Sequence, residues 1–341
     1  MDAPRSIIIV KLSSIGDVLH AVPVAVALKR HFATARIGWV VEGRAADVLA
    51  GHPAIDHLFR LPRGWLTSPG TVWDLRHRLR DFRADVALDL QGLLKSGVAT
   101  WLTGARLRIG HAPPTAREGS WLACTCRVKT TATHVVEQHL DLLAALGMPR
   151  GDASFDMPHW APSRARMQAW LAGLRLGRQP VLLNPGAGWA SKRWPPERFA
   201  VLAQALIQRS GCPSVVAWAG AEEHAVAQRI AAESRGAAVV APATSLQDLG
   251  ELCRLVRVVV SGDTGPLHLA AAVGTPCVGL FGPVPASRNG PHGPQHVCVE
   301  PPPALRPPWE DRKTDTLAML GIDVEQVAAA VDSVLVRSQA A

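Results

Sequence analysis

The stretch SGDTGPLHLAAAVGTPCVGLFGP, Ser261–Pro283, is the most informative part of this sequence about its fold. The apolar run Leu255–Val260 before it predicts a strand, Pro266 predicts the start of a helix, and Cys277–Phe281 predicts a second strand. The turn between the first strand and the helix consists of Asp263, Thr264 and Gly265. Unpaired N–H groups and the positive end of the helix dipole favour an anion at such a turn. The pattern predicts a nucleotide-binding unit; an ordinary strand–helix–strand unit, whose glycine and proline residues serve only the turns, is the alternative.

The length and composition predict a globular protein of two domains. The chain has 341 residues, of which 48% are hydrophobic and 19% are charged, and this composition excludes a disordered chain. No apolar run approaches the ~18 residues of a membrane span. The N-terminal segment carries Lys11 and Asp17 within its apolar part. It therefore predicts a strand and a helix rather than a signal peptide, and the expected location is the cytoplasm.

The net charge indicates the chemical class of the binding partners, and the cysteine pattern indicates whether a metal site is expected. The net charge of +8 favours an anionic partner such as nucleic acid, a phospholipid headgroup or a phosphorylated sugar. A basic tract interleaved with aromatic residues is missing, which argues against nucleic acid. The six cysteines lack zinc spacing, so no metal site is expected. Cys253 and Cys277 lie in apolar segments and are predicted to be buried, reduced thiols.

Strands that alternate with helices predict an α/β fold with two Rossmann-like domains, whose parallel sheets face a central cleft. Besides the two strands above, the predicted strands are Ile7–Val10, Ile37–Val41, Val86–Leu90, Val181–Leu183, Ser214–Ala219 and Ala238–Val240. The predicted helices are Asp17–His31, Val72–Phe82, Pro196–Ser210, Glu222–Ser234 and Val324–Val336. We expect domains over residues 1–160 and 161–320, joined by a loose linker at Asp152–Arg166, and a C-terminal helix in 321–341 that packs back on the first domain. In such sheets the ligand lies beyond the carboxyl ends of the strands.

The loop KLSSIGDVLH after the first predicted strand carries Asp17 at the start of a helix. A carboxylate at this position suits a general base that acts on a substrate hydroxyl. The alternative, which the spacing supports equally well, is a carboxylate that only stabilises the start of the helix.

The loop NPGAGWASKRWPPERF, Asn184–Phe199, carries Lys192, which would neutralise a departing phosphate. A structural turn with a solvated lysine is the alternative. In the first half, Lys95 and Arg117 follow apolar segments and suit an anionic acceptor, with ordinary surface charge as the rival explanation.

The order and spacing of these segments resemble glycosyltransferase family 9, the ADP-heptose:lipopolysaccharide heptosyltransferases. The matching blocks are KLSSIGDVLHAVP, WVVEGRAADV, DLQGLLKS, TARE, KRWPPERF and Ser261–Pro283. Within the family, DLQGLLKS, TARE and HVVEQ resemble heptosyltransferase I, whereas NPGAGWAS is more similar to heptosyltransferase II. The resemblance implies the GT-B fold, with an acceptor-binding first domain and a donor-binding second domain. It implies transfer of a heptose from ADP-heptose to the Kdo region of the lipopolysaccharide inner core.

The resemblance also assigns roles to residues. It makes Asp17 the catalytic base. The donor-binding residues it implies are Lys192, Glu223, Asp263, Thr264, Gly265 and His268, with Glu222 as an alternative to Glu223. The acceptor-binding candidates are Ser14, Gly16, Lys95 and Arg117.

The implied reaction is inverting and needs neither a metal ion nor a cofactor besides the ADP-heptose substrate. The expected partners are this donor, an anionic lipid A–Kdo acceptor and the cytoplasmic face of the inner membrane, with peripheral contact. Heptosyltransferase II, another family member with a different acceptor, a GT-B nucleotide-sugar epimerase and a non-catalytic nucleotide-sugar-binding module are the competing hypotheses.

Overall fold

The computed structural model describes residues 3–340. The chain divides into two compact units, Met1–Pro158 and His159–Ala341. The division falls inside the predicted linker, Asp152–Arg166. The prediction of a loose chain over the second half of this linker is wrong, because a helix begins at Ala161. Within residues 3–340, no helix combines the length and the apolar character that crossing a membrane requires.

The first unit is a six-stranded parallel sheet covered by helices. Its strands are β1 (Ser6–Val10), β2 (Arg36–Glu42), β3 (His57–Leu61), β4 (Val86–Asp89), β5 (Leu107–His111) and β6 (Cys126–Val128). Its α-helices are α1 (Ile15–His31), α2 (Pro69–Phe82), α3 (Leu94–Leu102) and α4 (Val135–Asp141). The strand order is β3-β2-β1-β4-β5-β6, and every neighbouring pair is parallel.

The second unit has the same architecture. Its strands are β7 (Val181–Asn184), β8 (Ser214–Val216), β9 (Ala238–Val240), β10 (Val258–Gly262), β11 (Cys277–Leu280) and β12 (Val297–Val299). Its α-helices are α5 (Ala161–Gly173), α6 (Pro196–Ser210), α7 (Gly220–Glu233), α8 (Leu246–Leu255), α9 (Gly265–Ala272), α10 (Ala286–Asn289), α11 (Leu317–Leu320) and α12 (Val324–Ala340). The order β12-β11-β10-β7-β8-β9 is again wholly parallel.

Both sheets reverse their strand order at an inner pair, β1/β4 in the first unit and β7/β10 in the second. This is the Rossmann arrangement, in which a crevice opens at the carboxyl ends of the strands at the reversal. The prediction of an α/β fold with two parallel Rossmann-like sheets is confirmed.

Continuous apolar runs form the strands because both faces of each sheet are covered. All five residues of β1 are buried, and the two cysteines that were predicted to be buried, Cys253 and Cys277, are fully buried free thiols. Burial raises the pKa of the Cys253 thiol to about 12, so it stays protonated at neutral pH.

The C-terminal helix differs from its prediction. Val327, Val331 and Val334 of α12 lie in the hydrophobic core of the second unit, and the helix contacts α6 and β10–β12 there. The apolar stripe of α12 therefore completes the second unit's own core.

Several element boundaries also differ. The apolar run Leu255–Val260 is not one strand: Leu255 ends α8, and β10 begins at Val258. Helix α1 begins at Ile15 rather than Asp17 and continues through Pro23. The sequence pattern does not reveal β5 because Arg108, Gly110 and His111 interrupt its apolar run.

Candidate functional site

Asp263, at the carboxyl end of β10, is the centre of a polar cluster in the second unit. Its Oδ2 lies 2.5 Å from Lys192 Nζ, and its Oδ1 lies 3.1 Å from His268 Nε2 and accepts a 2.8 Å hydrogen bond from Asn289 Nδ2. Burial alone would raise the pKa of Asp263, but the hydrogen bonds and charges of His268 and Lys192 outweigh it and hold the pKa well below its usual range. Asp263 is therefore a permanent buried anion.

A second network joins the ends of β7 and β10, the two strands at the order reversal. Asn184 Nδ2 donates to Ser261 Oγ at 2.9 Å and to Gly186 O at 3.2 Å. The Ser261 and Thr264 hydroxyls lie 3.0 Å apart. Thr264 is the N-cap residue of α9, whose first residue is Gly265. The network thus fixes the N-terminus of α9, with its unpaired N–H groups, next to the Asp263 cluster.

The loop after β7 brings Lys192 to this cluster. The Lys192 side chain is 16% exposed, and its Nζ lies 4.3 Å from the centre of the Trp189 ring. Gly262 makes the close approach possible, since a Cβ there would lie 2.7 Å from Lys192 O. Lys192 is an ion-paired, mostly buried cation, so the alternative of a solvated surface lysine is wrong.

The segment after the proline-rich stretch Pro301–Pro308 adds cations beside Trp189. The Arg312 guanidinium carbon lies 4.0 Å from the centre of the Trp309 ring and 6.0 Å from that of Trp189. Lys313 Nζ lies 5.3 Å from the Trp189 ring, and the buried Ser191 hydroxyl donates to Arg312 O at 2.8 Å. Sequence reasoning missed these residues because no local pattern links this segment to the loop at Trp189.

Of the two candidate acidic residues on α7, Glu223 has the more constrained position. Its Oε2 accepts a 2.8 Å hydrogen bond from Ala219 N, and it packs on Gly186, where a Cβ would lie 2.4 Å from its carboxyl group. Glu222 is 75% exposed and pairs with Arg193 at 2.7 Å. The geometry favours Glu223 as the acidic residue that faces the loop after β7.

In the first unit, Asp17 lies in the first turn of α1, which follows β1. Its Oδ2 accepts hydrogen bonds from Ser14 N at 3.0 Å and Ser14 Oγ at 2.7 Å. Ser14 is the N-cap of α1, and the pair forms a capping box. Asp17 is half-buried and Gly16, beside it, is buried. The helix-starting role of Asp17 is therefore real, and the role of base stays a prediction.

Lys95 is held close to the same loop. Its Nζ lies 2.7 Å from Glu42 Oε2 at the end of β2 and 3.3 Å from Ser13 Oγ. Gln91 Oε1 accepts from Leu12 N and Ser13 N at 3.1 and 3.3 Å. These contacts tie the ends of β1, β2 and β4 together and bring Lys95 to the Ser13–Asp17 turn.

Arg117 lies on the loop between β5 and β6. Its backbone N donates to Gly92 O at 2.9 Å, and the neighbouring Glu118 accepts from Leu94 N, at the start of α3, at 3.1 Å. The Arg117 side chain is exposed and makes no hydrogen bond or ion pair to any residue in the described range 3–340. The backbone of Arg117 is therefore fixed, while its guanidinium donors have no partner among the described residues.

A buried histidine pair lies at the end of β5. His111 Nε2 is 3.3 Å from His139 Nδ1 of α4. Burial, together with the charge of Lys11, lowers the pKa of His111 to about 4, and the pKa of His139 falls well below its usual value for the same reasons. Both rings are neutral at neutral pH. Across the described residues, no group of three or more His, Cys, Asp or Glu side chains is arranged to hold a metal ion.

The chain is similar to known glycosyltransferases over most of its length. The sequence model of glycosyltransferase family 9 (heptosyltransferase) matches residues 72–312. Lipopolysaccharide heptosyltransferase 1 of Pseudomonas aeruginosa is 30% identical to this chain over 327 residues, which cover 90% of each protein.

Two solved structures are similar over nearly the whole chain. The E. coli heptosyltransferase WaaC with ADP-2-deoxy-2-fluoro heptose is 24% identical, has a TM-score of 0.76 and matches over 96% of this chain and 99% of its own. The E. coli ADP-heptose lps heptosyltransferase II is 20% identical, has a TM-score of 0.77 and matches over 98% of this chain and 99% of its own. These two likenesses show that the fold is shared.

Proposed function

Because this chain belongs to glycosyltransferase family 9, we propose that it is an inverting transferase that moves a heptose from ADP-heptose to the Kdo region of the lipopolysaccharide inner core. The observation that carries this proposal is the cluster around Asp263, where one buried carboxylate holds both Lys192 and His268 at the end of β10. A buried anion that orients a lysine beside a helix N-terminus suits a diphosphate leaving group.

The donor diphosphate rests on Lys192 and on the backbone N–H groups at Thr264 and Gly265. The ammonium group has three N–H donors, and Asp263 engages it from one side at 2.5 Å, so the remaining donors serve the phosphates. His268 lies beside them to contact phosphate or sugar hydroxyls, and Glu223 holds the ribose. The positive charge offsets the charge that ADP gains as it departs.

The anionic acceptor is held by Arg117 and Lys95, with Ser14 and Gly16 lining the turn at the start of α1. The acceptor hydroxyl oxygen attacks the anomeric carbon of the heptose from the side opposite ADP. The new C–O bond forms as the bond to the diphosphate breaks, and ADP leaves with the electron pair. Asp17 takes the hydroxyl proton, and the Ser14 hydrogen bonds to Asp17 Oδ2 keep the carboxylate in place for it.

We propose that the transfer needs no metal ion, because the Lys192 charge and the α9 N–H groups already compensate the diphosphate. Turnover in excess EDTA should then equal turnover in buffer with Mg²⁺. A rate that EDTA abolishes and Mg²⁺ restores would show that a divalent cation carries part of this charge.

The acceptor is tested by ADP release from ADP-heptose with a panel of truncated lipid A–Kdo acceptors. A heptosyltransferase I-like protein releases ADP with an acceptor that ends in Kdo. Release only with an acceptor that already carries the first heptose would instead indicate a heptosyltransferase II-like protein.

Analysis of the sugar product, together with a direct measurement of ADP-heptose binding, distinguishes a transferase from an epimerase and from a non-catalytic binding module. Conversion of the sugar without any acceptor would indicate an epimerase, and ADP-heptose binding without ADP release would indicate a binding module. Residence in the cytoplasm, with peripheral contact to the inner membrane, is part of the proposal because the acceptor is a lipid.

A further inference from the structure

Three large apolar side chains stand exposed together on the first unit. Leu94 and Trp101 lie near the two ends of α3 and are 52% and 58% exposed. Leu122 lies on the adjacent helical turn Ser120–Ala123 and is 75% exposed. We call this surface the α3 strip.

A groove runs along the α3 strip. It has a volume of about 340 Å³, and Gly97, Val98 and Ala123 line it together with the three exposed side chains. Gly97 allows the helix and the turn to pack closely, since a Cβ there would lie 3.1 Å from Ser120 Cα. The groove is therefore a built feature of the fold, and its walls are apolar and open to solvent.

The chain around the α3 strip is strongly basic. Residues 94–129 carry six Lys or Arg side chains and one carboxylate, a net charge of +5 within a chain whose total is +8. The one carboxylate, Glu118, is engaged by Leu94 N at the start of α3. Within the described residues, the exposed side chains of Arg106, Arg117 and Lys129 make no hydrogen bond or ion pair. The apolar strip therefore belongs to a segment that also carries unpaired cations, a combination that suits the hydrocarbon layer and the anionic headgroup layer of a membrane surface.

The strip also starts at the acceptor side of the unit. Leu94 precedes Lys95, and Arg117 is bonded through its backbone to Gly92, two residues before Leu94. A lipid whose polar head lies at Lys95 and Arg117 thus has its hydrocarbon next to the α3 strip.

We infer that the α3 strip docks the protein on an anionic lipid bilayer, with Leu94, Trp101 and Leu122 in the interfacial layer and the surrounding cations on the headgroups. The inference rests on the proposed function, which includes peripheral membrane contact, and deepens it by naming the surface that makes this contact. A bilayer is favoured over a protein partner because the segment that carries the three exposed apolar side chains also carries exposed cations at Arg106, Arg117 and Lys129, which suit anionic headgroups. It is favoured over a lone acyl chain because the three apolar side chains project outward and are more than half exposed.

Vesicle co-sedimentation of the full chain tests the inference, with phosphatidylglycerol-containing vesicles compared with pure phosphatidylcholine vesicles. The wild-type protein should bind the anionic vesicles and bind less at high salt, which screens the headgroup contacts. Leu122→Asp and Trp101→Ser should each lower the partition coefficient about tenfold, because each removes one large apolar contact with the bilayer. The matched control is Val336→Asp, which charges a residue of α12 that is 66% exposed and should leave binding unchanged.

A second pair of variants examines the charge. Arg106→Glu and Lys129→Glu should weaken binding to anionic vesicles while the circular dichroism spectrum stays that of the wild type. Leu122 and Trp101 are exposed, so their variants should also fold, and thermal unfolding of each variant verifies this.

Equal binding by the wild type, Leu122→Asp and Trp101→Ser would overturn the inference, as would an equal loss in Val336→Asp. Binding of a monomeric acyl amphiphile without binding of vesicles would overturn it in favour of an acyl-chain pocket. ADP release with a soluble, deacylated acceptor should be the same in Leu122→Asp and the wild type. A failure of that reaction in the wild type would refute the proposed function and leave the vesicle result to stand separately.

Discussion

Lys192 Nζ and Asp263 Oδ2 lie 2.5 Å apart although 71 residues separate them in the chain. The two side chains are 16% and 5% exposed, so water screens the pair weakly. Asp263 also accepts from Asn289 and contacts His268. The pair is therefore the electrostatic core of the second unit's site, and each member is expected to affect both stability and donor binding.

Lys192→Met should raise the KM for ADP-heptose at least tenfold and lower the free energy of unfolding by about 3 kcal/mol, because it leaves a buried carboxylate without its cation. The double variant Lys192→Met/Asp263→Asn should regain most of the stability but not the donor affinity. Steady-state kinetics and urea unfolding measure the two effects, with Lys129→Met as the control. An unchanged donor KM in Lys192→Met would reject the donor assignment.

Asp17→Asn should separate the two roles of Asp17. The amide oxygen can still accept from Ser14, so the cap and the unfolding free energy should stay close to the wild type. An amide cannot take the acceptor proton, so turnover should fall at least a hundredfold. ADP affinity, measured by calorimetry, should be unchanged in both Asp17→Asn and Asp17→Ala.

Asp17→Ala additionally removes the N3 carboxylate of the capping box, whereas the N-cap Ser14 remains, and it should cost about 1 kcal/mol of stability. If Asp17→Asn keeps wild-type turnover, Asp17 serves the helix alone and the base lies elsewhere.

Arg117→Ala should raise the KM for the acceptor about tenfold, because it removes a charge-assisted contact to an anionic sugar. The exposed side chain has no partner in the described structure, so the unfolding free energy should change by less than about 0.5 kcal/mol. Kinetics with a soluble acceptor measure the first effect, and Arg106→Ala is the matched exposed control. An equal rise of the acceptor KM in Arg106→Ala would show that the effect comes from general surface charge.

The first unit should lose stability in acid through His111. Its pKa in the fold is about 4, below the value of about 6.5 in an unfolded chain, so the unfolded state binds more protons between these values. The free energy of unfolding is therefore highest above pH 6.5. It falls as the pH drops towards 4, and His111 accounts for about 3 kcal/mol of this loss. The neighbouring charges that bear on His111 are Lys11, which lowers its pKa further, and Asp141, which raises it.

Urea unfolding between pH 4 and pH 7 measures this slope. His111→Gln should flatten the slope relative to the wild type, and His31→Gln, a change at the end of α1, should not. A slope that is the same in all three proteins would assign the acid sensitivity to other groups.

Local sequence patterns identify the turns on which the candidate site residues lie. Asp17, Lys192 and Asp263 each follow a buried apolar run, and the structure places all three just beyond the ends of β1, β7 and β10. Such runs and the glycine and proline residues after them are local signals. The α/β class and a helix start at Pro266, one residue after the observed first residue Gly265, follow from them without any knowledge of distant contacts.

Contacts between side chains that are distant in the chain follow from the three-dimensional fold and not from any local pattern. The pairing of Lys95 with Glu42, of Asp263 with Asn289 and the approach of Arg312 to Trp189 depend on the order and register of the strands. The parallel sheet brings strand ends together that are far apart in the chain, and no local periodicity encodes that order. The same holds for α12, since its apolar stripe requires burial but does not specify which core it completes.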